Sequence, residues 1–247
     1  MPLAALYDIH GNLPALEAVL ADIRAAGVDD LVIGGDVVPG PMPHECLALL
    51  RDLDVPTLFV RGNGDRSVLE ALSGDELAYV PPAFRGVIDW NARQVTQEDA
   101  RWMASWPETV QLQVDPLGPV LFCHATPRND TELFTRRTPE AVLEPVFQVG
   151  APTVVCGHTH MQFDRQVGAT RVVNAGSVGM PFGEPGAYWL LLDGGVHLRR
   201  TEYDREAAAE RIRATEYPQA EQYAAGNVLE PPTEEAMLEA FSRSELS

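Results

Sequence analysis

An α/β fold, with two sheets packed together and helices outside them, is what this sequence predicts, and three observations carry the expectation. Residues 3–60 alternate strand-like and helix-like segments in the order βαβαβ, which favours a parallel sheet joined by right-handed crossovers. Residues 110–203 read mostly as strands, so a second, partly antiparallel sheet is expected there. With 247 residues the chain can bury a substantial core, as one large domain or two small ones.

The elements follow from local pattern. Residues 3–7 are a short apolar run. Residues 14–26 carry Leu16, Val19, Leu20 and Ile23 at helical spacing, with Pro14 in the first turn and Gly27 after the end. Residues 30–34 repeat the strand signal; a helix is expected around 44–53 and a strand over 57–60. Past the break at Pro81 and Pro82, a helical stretch spans roughly 87–105. Strands are expected over 110–114, 120–123, 153–156, 162–167, 171–174, 188–192 and 196–203, interrupted by a helix at about 140–149. From Asp204 the chain is rich in alanine and glutamate, helical to about Ala214, and then carries a second double-proline break and a short amphipathic piece. Residues 204–247 are expected to be peripheral.

Bulk composition excludes several classes. With 45% hydrophobic and 22% charged residues the chain reads as globular, and no apolar run approaches the roughly 18 residues of a membrane span. The opening "MPLAALYDIH" has neither a basic leader nor a cleavage pattern, so a cytoplasmic protein is expected. Cys46, Cys123 and Cys156 lack the spacing of a disulfide framework and suit a reducing compartment as small buried residues. A formal charge of −18 argues against general nucleic-acid binding. Phosphate chemistry stays open, because bound divalent cations can dominate the field of a cleft in an acidic protein.

The informative residues stand where strands end. Asp8 and His10 follow the first strand, Asp36 follows the second in "IGGD", and Asn63 follows the third in "VRGNGD". His124 follows a later strand in "LFCH", and His158 and His160 follow another in "VVCGHTH". In an open α/β sheet, ligands bind beyond the carboxyl ends of the strands, so these stretches point at one place. Two carboxylates, four imidazoles and an amide carbonyl suit manganese, iron, zinc, cobalt or nickel, whereas magnesium and calcium prefer oxygen alone. Seven ligands are too many for one tetrahedral ion. With one bridging carboxylate they divide between two ions about 3.5–4 Å apart. Gly11, Gly35, Gly62 and Gly157 allow tight turns and close backbone approach beside them. Each fragment alone is a weak signal; the ordered set is specific. His44 and His197 fall outside it and read as surface residues.

The ordered series "DIHGN", "GGD", "GNGD", "CH" and "GHTH", followed by "NAGSVGMP", resembles the calcineurin-like metallophosphoesterases, in particular their compact bacterial and archaeal branch of predicted phosphodiesterases. The resemblance covers roughly residues 3–203 and implies a four-layer αββα sandwich, two mixed β-sheets flanked by helices. A single domain over residues 1–247 is then expected. It further implies a dinuclear centre in which Asp8, His10, Asp36 and His160 hold one ion while Asp36, Asn63, His124 and His158 hold the other, manganese being favoured. Two such cations would generate a bridging hydroxide near neutral pH and neutralise charge on the phosphoryl oxygens of a small-molecule or nucleotide phosphoester.

Asp36, Asn63 and His124 are thus the expected catalytic residues, and Asn12, Asn63 and Arg128 the expected substrate contacts. Asn12 has an alternative reading as a helix cap and Arg128 as a loop-ordering residue. Asp65 is expected to orient a ligand or hold its loop, and the turn containing Asn174 and Ser177 to shape the pocket wall.

Two departures from the family pattern stand out. Many relatives have a histidine at the position of Gly64, thought to protonate the leaving group; glycine cannot, which argues against protein phosphatase activity. Tyr7 replaces the usual small residue before the first aspartate and is expected to narrow the site. The expected activity is a phosphodiesterase, with a phosphomonoesterase or a non-catalytic interaction scaffold, as in the retromer subunit of the same superfamily, as the alternatives. A binuclear amide or ester hydrolase would show an early histidine pair, and none is present.

Overall fold

A computed structural model of the chain describes residues 2–77 and 80–246. Ten strands form two five-stranded mixed sheets among the described residues. The first sheet holds β1 (Leu3–Leu6), β2 (Asp30–Ile33), β3 (Thr57–Phe59), β9 (Ala187–Leu192) and β10 (Val196–Thr201), in the order β10-β9-β1-β2-β3. Its three early strands are parallel, as the βαβαβ pattern requires, and β9 and β10 add on antiparallel. The second holds β4 (Thr109–Val114), β5 (Gly118–Cys123), β6 (Thr153–Cys156), β7 (Phe163–Val167) and β8 (Thr170–Asn174), in the order β4-β5-β6-β8-β7. There β5, β6 and β8 run parallel between two antiparallel edges.

Alternation along the strands sorts the side chains into three cores, and three cores make four layers. Leu3, Ala5 and Tyr7 point inward with Val32, Phe122, Val155, Val173 and Leu190 to fill the space between the sheets. Ala4, Leu6, Leu31, Ile33 and Trp189 point outward to the helices of the first sheet: α1 (Leu13–Ala25), α2 (Pro43–Arg51), α3 (Asn63–Ser73), α4 (Pro82–Gln94) and α5 (Gln97–Ala104). On the far side Cys123, Val154, Cys156 and Val172 meet α6 (Glu140–Phe147) through Leu143, Val146 and Phe147. Each fully buried Val, Leu or Phe contributes about 1.5–3 kcal/mol, so all three cores are needed to hold the sandwich. The three cysteines are free and buried.

Tyr7 belongs to the inner core, where its hydroxyl donates to Val155 O at 3.0 Å. Its ring fills the space two glycines leave: a Cβ on Gly34 would lie 1.9 Å from it, and one on Gly157 2.6 Å. The ring therefore underlies the loops at the strand ends.

Three features differ from the sequence expectation. Residues 63–73 form a helix where no element was expected. The helix expected over 87–105 begins at Pro82 and is broken at Val95, because Thr96 starts α5 with a reciprocal cap: its Oγ1 accepts from Asp99 N at 3.1 Å while Asp99 Oδ2 accepts from Thr96 N at 3.3 Å. Third, the chain from Asp204 packs onto the strand-end loops. It forms α7 (Arg205–Arg213), α8 (Ala220–Tyr223), a π-helical turn (Ala224–Leu229) and α9 (Glu234–Phe241). Tyr223, 3% exposed, brings its hydroxyl to His10 O at 3.0 Å and Gly179 O at 3.1 Å. No helix among the described residues is long and apolar enough to cross a membrane.

Candidate metal centre

The sheets end side by side, and the seven side chains expected to bind metal converge there. From the first sheet, Asp8 and His10 follow β1, Asp36 follows β2, and Asn63 opens α3 just beyond β3. The second sheet supplies His124 directly after β5, and His158 and His160 after β6. Asp8 Oδ1 lies 3.3 Å from His160 Nε2, 3.8 Å from His10 Nε2 and 3.9 Å from His124 Nε2. Asp36 faces both flanks, with Oδ2 3.7 Å from His10 Nε2 and Oδ1 3.5 Å from His124 Nε2. Two compact groups result, Asp8 with His10 and His160, and Asp8 with Asp36 and His124.

Backbone carbonyls decide which ring nitrogen faces inward. Nδ1 of His10 lies 3.2 Å from Pro39 O, that of His124 3.0 Å from Gly34 O, and that of His160 2.7 Å from Met180 O. Each Nδ1–H is donated outward, so each Nε2 is the nitrogen left facing the centre. His158 differs: its Nδ1 lies 3.0 Å from the Asn63 amide.

Five residues carry left-handed backbone without being glycine: Asp8 (φ 54°), His10 (45°), Asp36 (54°), His158 (65°) and His160 (57°). Among the described residues these are the only such positions, and all five belong to the cluster. The conformation costs a non-glycine residue about 1–3 kcal/mol, and it lets two residues in Asp-x-His or His-x-His face the same way. The residue between turns elsewhere. Ile9 goes into the core under the helices, and Thr159 accepts from Asn174 Nδ2 at 3.1 Å.

A polar scaffold over-determines this geometry. Asp65 is fully buried and accepts from Asp36 N at 2.8 Å, Gly62 N at 3.0 Å and Val38 N at 3.1 Å, so it holds the loops rather than facing the cluster. Asn174 donates to Gly157 O at 2.6 Å, and Ser177 donates to Asp8 O at 2.8 Å. The turn containing both residues thus braces the Asp8 and His158 loops. Asn12 is buried with both ends of its amide engaged: Oδ1 caps α1 by accepting from Ala15 N at 3.2 Å, and Nδ2 donates to Gly179 O at 3.0 Å. Arg128 forms a two-pronged pair with Glu132, at 3.1 and 2.5 Å. His44 and His197 lie on the surface. A Cβ at position 64 would come within 2.6 Å of Val38 O, so this loop as folded has no room for a side chain there.

Charge and burial prepare the cluster for cations. Burial alone would raise the Asp8 carboxyl, but His160, His124 and His10 take it well below the usual carboxylate range. Burial lowers His10, and burial together with His124 pushes His158 down to about 4, so both rings are neutral. Burial opposes the charged forms of His124 and His160 as well, yet Asp36 and Asp8 carry the first up and Asp8 the second. A cation would displace those protons. Burial and the neighbouring Asp36 charge push Asp65 up to about 7, against the pull of its backbone donors.

The donor set fits divalent metal. Asp8 Oδ1 is buried with no hydrogen-bond partner, a state that costs several kcal/mol for a carboxylate unless a cation sits opposite. Asn63, with its oxygen turned inward, meets His124 Nε2 at 3.1 Å, His158 Nδ1 at 3.0 Å and Asp130 O at 3.1 Å. A cation reconciles that oxygen with the two imidazole lone pairs; otherwise the amide must turn over and donate. A cavity of about 680 Å³ opens at the opposite end of the strands, between Leu3, Leu58 and Leu112, and holds no comparable cluster.

Comparison with known proteins gives the family and the fold. Residues 1–194 match the family model described as the calcineurin-like phosphoesterase superfamily domain. An uncharacterized protein of Methanocaldococcus jannaschii is 30% identical over 237 residues, spanning 88% of this chain and 94% of that protein. The crystal structure of a metallophosphoesterase from Sphaerobacter thermophilus is similar with a TM-score of 0.71 and 27% identity, over 92% of this chain and 99% of that one. That of a hypothetical protein from Pyrococcus horikoshii OT3, at a TM-score of 0.76 and 19% identity over 94% and 99%, shares the fold.

Proposed function

The chain belongs to the calcineurin-like phosphoesterase superfamily, and from that premise we propose that it is a metal-dependent, dinuclear phosphodiesterase acting on a small-molecule or nucleotide phosphoester. The observation that carries this reading is the buried, unpartnered Asp8 Oδ1 among imidazoles whose Nδ1–H groups are already spent on the backbone. Asp8, His10, Asp36 and His160 would hold one ion, and Asp36, Asn63, His124 and His158 the other. Asp36 would serve both ions, since it turns one oxygen toward His10 and the other toward His124. Imidazole with carboxylate and amide favours manganese or a similar transition metal.

When bound, a cation pair supplies a water acidified toward a pKa of about 7 and positive charge for the phosphoryl oxygens. The chain's own residues do the positioning. His10, His124 and His160 are locked with Nε2 inward, and Asp65 keeps Asp36 and Gly62 in register through their N–H groups. Among the three expected substrate contacts, we assign the first to Asn63, since Asn12 is committed to its cap and Arg128 to Glu132. Gly64 has no proton to give, so esters with leaving groups of low pKa are turned over fastest.

The test is chelated protein reloaded with single metals and assayed on paired diesters and monoesters. Diester turnover should return with manganese and fall more than about 100-fold in Asp36→Asn, beyond what loss of a supporting hydrogen bond costs. Faster monoester than diester turnover would make it a phosphomonoesterase. No turnover with any metal would leave the scaffold reading.

A further inference from the structure

A pocket of about 250 Å³ opens beside the metal cluster and shares His10 with it. We infer that this pocket receives the nucleobase of a nucleoside phosphoester whose phosphorus lies at the cluster. The inference rests on the phosphodiesterase reading above and names its substrate class.

Charge excludes the obvious alternatives first. Among the described residues that line the pocket there is no Asp, Glu, Lys or Arg and His10 is the one histidine, and the chain as a whole carries −18. A second phosphate or a carboxylate would find no cation there, so the occupant is neutral. The wall is flat and apolar where Phe84 and Val87 of α4 stand with Met180 and Tyr217. Phe84 is 54% exposed, an aromatic face left open beside the site, as in proteins that stack bases on a ring. A sugar would turn hydroxyls toward these apolar groups; a flat heterocycle would not.

The rim supplies the complementary chemistry. Gln222, in α8, and Asn227, in the π-helical turn that follows, both line the pocket and bring two side-chain amides to it. Neither makes a side-chain hydrogen bond to another described residue. An amide carries a donor and an acceptor together, the pairing that reads a base edge. Pockets for drug-sized ligands run from about 300 to 1,000 Å³, so this one suits a single ring system. Tyr217, Gln222 and Asn227 all lie beyond residue 194, where the match to the family domain ends, so this side of the pocket is built outside the family domain.

Two measurements on manganese-loaded protein test the inference. In calorimetric titrations, adenosine, guanosine, cytidine or uridine 5′-monophosphate should bind at least about tenfold tighter than base-free ribose 5-phosphate, and Phe84→Ala should remove most of that difference. In assays, thymidine 5′-(4-nitrophenyl phosphate) should exceed methyl 4-nitrophenyl phosphate in kcat/KM. Phe84→Ala should lower the first about tenfold and leave the second unchanged. The double variant Gln222→Ala with Asn227→Ala should flatten the ranking among bases. Equal binding of nucleotides and ribose 5-phosphate, or equal loss on both esters in Phe84→Ala, overturns the pocket. Absence of turnover on both esters overturns the phosphodiesterase reading instead, and the titrations then decide the pocket alone.

Discussion

The seven residues of the cluster fall into two kinds. Asp8, His10, Asp36, His158 and His160 lie in irregular segments after β1, β2 and β6, and all five are left-handed; Asn63 opens α3, His124 directly follows β5, and neither is. A ligand delivered by the end of a regular element is aimed by that element. A ligand delivered by a loop that doubles back is aimed by strain, and strain must be held by neighbours. The difference shows in the bracing. Asp8 O accepts from Ser177 Oγ and Gly179 N, His10 O from Tyr223, and His10 N donates to Asp36 O.

Three experiments break or sharpen that contrast, in falling order of effect. Asp65→Asn should do most, because an amide cannot accept from the three N–H groups of Asp36, Gly62 and Val38. Metal affinity, read by equilibrium dialysis, should fall about 10–100-fold with the fold intact by circular dichroism. An unchanged affinity would mean that Asp36 is held without it. Next comes the backbone itself. In metal-free protein, His160→Gly should be more stable than His160→Ala by about 1–2 kcal/mol, since only glycine escapes the left-handed penalty. At His124 the order should reverse by about 0.5–1 kcal/mol. Urea denaturation of the four variants reads both, and the same order at the two positions would erase the distinction.

Smallest is a pH effect at the rim. Arg66 grips Asp130 at 2.7 and 3.0 Å, and although burial opposes ionisation, that pair holds the Asp130 carboxyl below its ordinary value. A lowered carboxylate contributes stability that is complete above the unfolded value near 3.8 and lost as pH falls through the folded one. Asp130→Asn should therefore narrow the gap to wild type only below about pH 4. A gap that closes near neutrality would assign it to another group.

The centre was legible in the sequence because its residues stand at strand ends, and strands are marked by apolar runs that any reader can find. The surroundings were less so. Helix α3 hides behind Gly62 and Gly64, which read as turn residues; the signals that reveal it are Asp65, accepting from Gly62 N three residues back, and Gly74 closing it at φ +78°. The division at Thr96 was written as "TQED", a cap followed three residues later by an acid. Asn12 revealed its cap through Pro14. The buried role of Tyr223 left no local signal, since its partners His10 and Gly179 are distant in sequence and only the folded chain joins them. Tyr7, expected to narrow the site, lies beneath it because strand alternation turns it between the sheets.

That tyrosine ties two positions into one heritable unit. While the ring sits where it does, residue 34 cannot acquire a side chain, and a descendant with alanine at position 7 would release it from glycine; residue 157 stays glycine either way, because Asp8 Oδ2 and the Cβ of residue 7 would still crowd a side chain there. Divergence at 7 and 34 must proceed by joint replacement, and a catalogue of natural variants should show the two changing together or not at all.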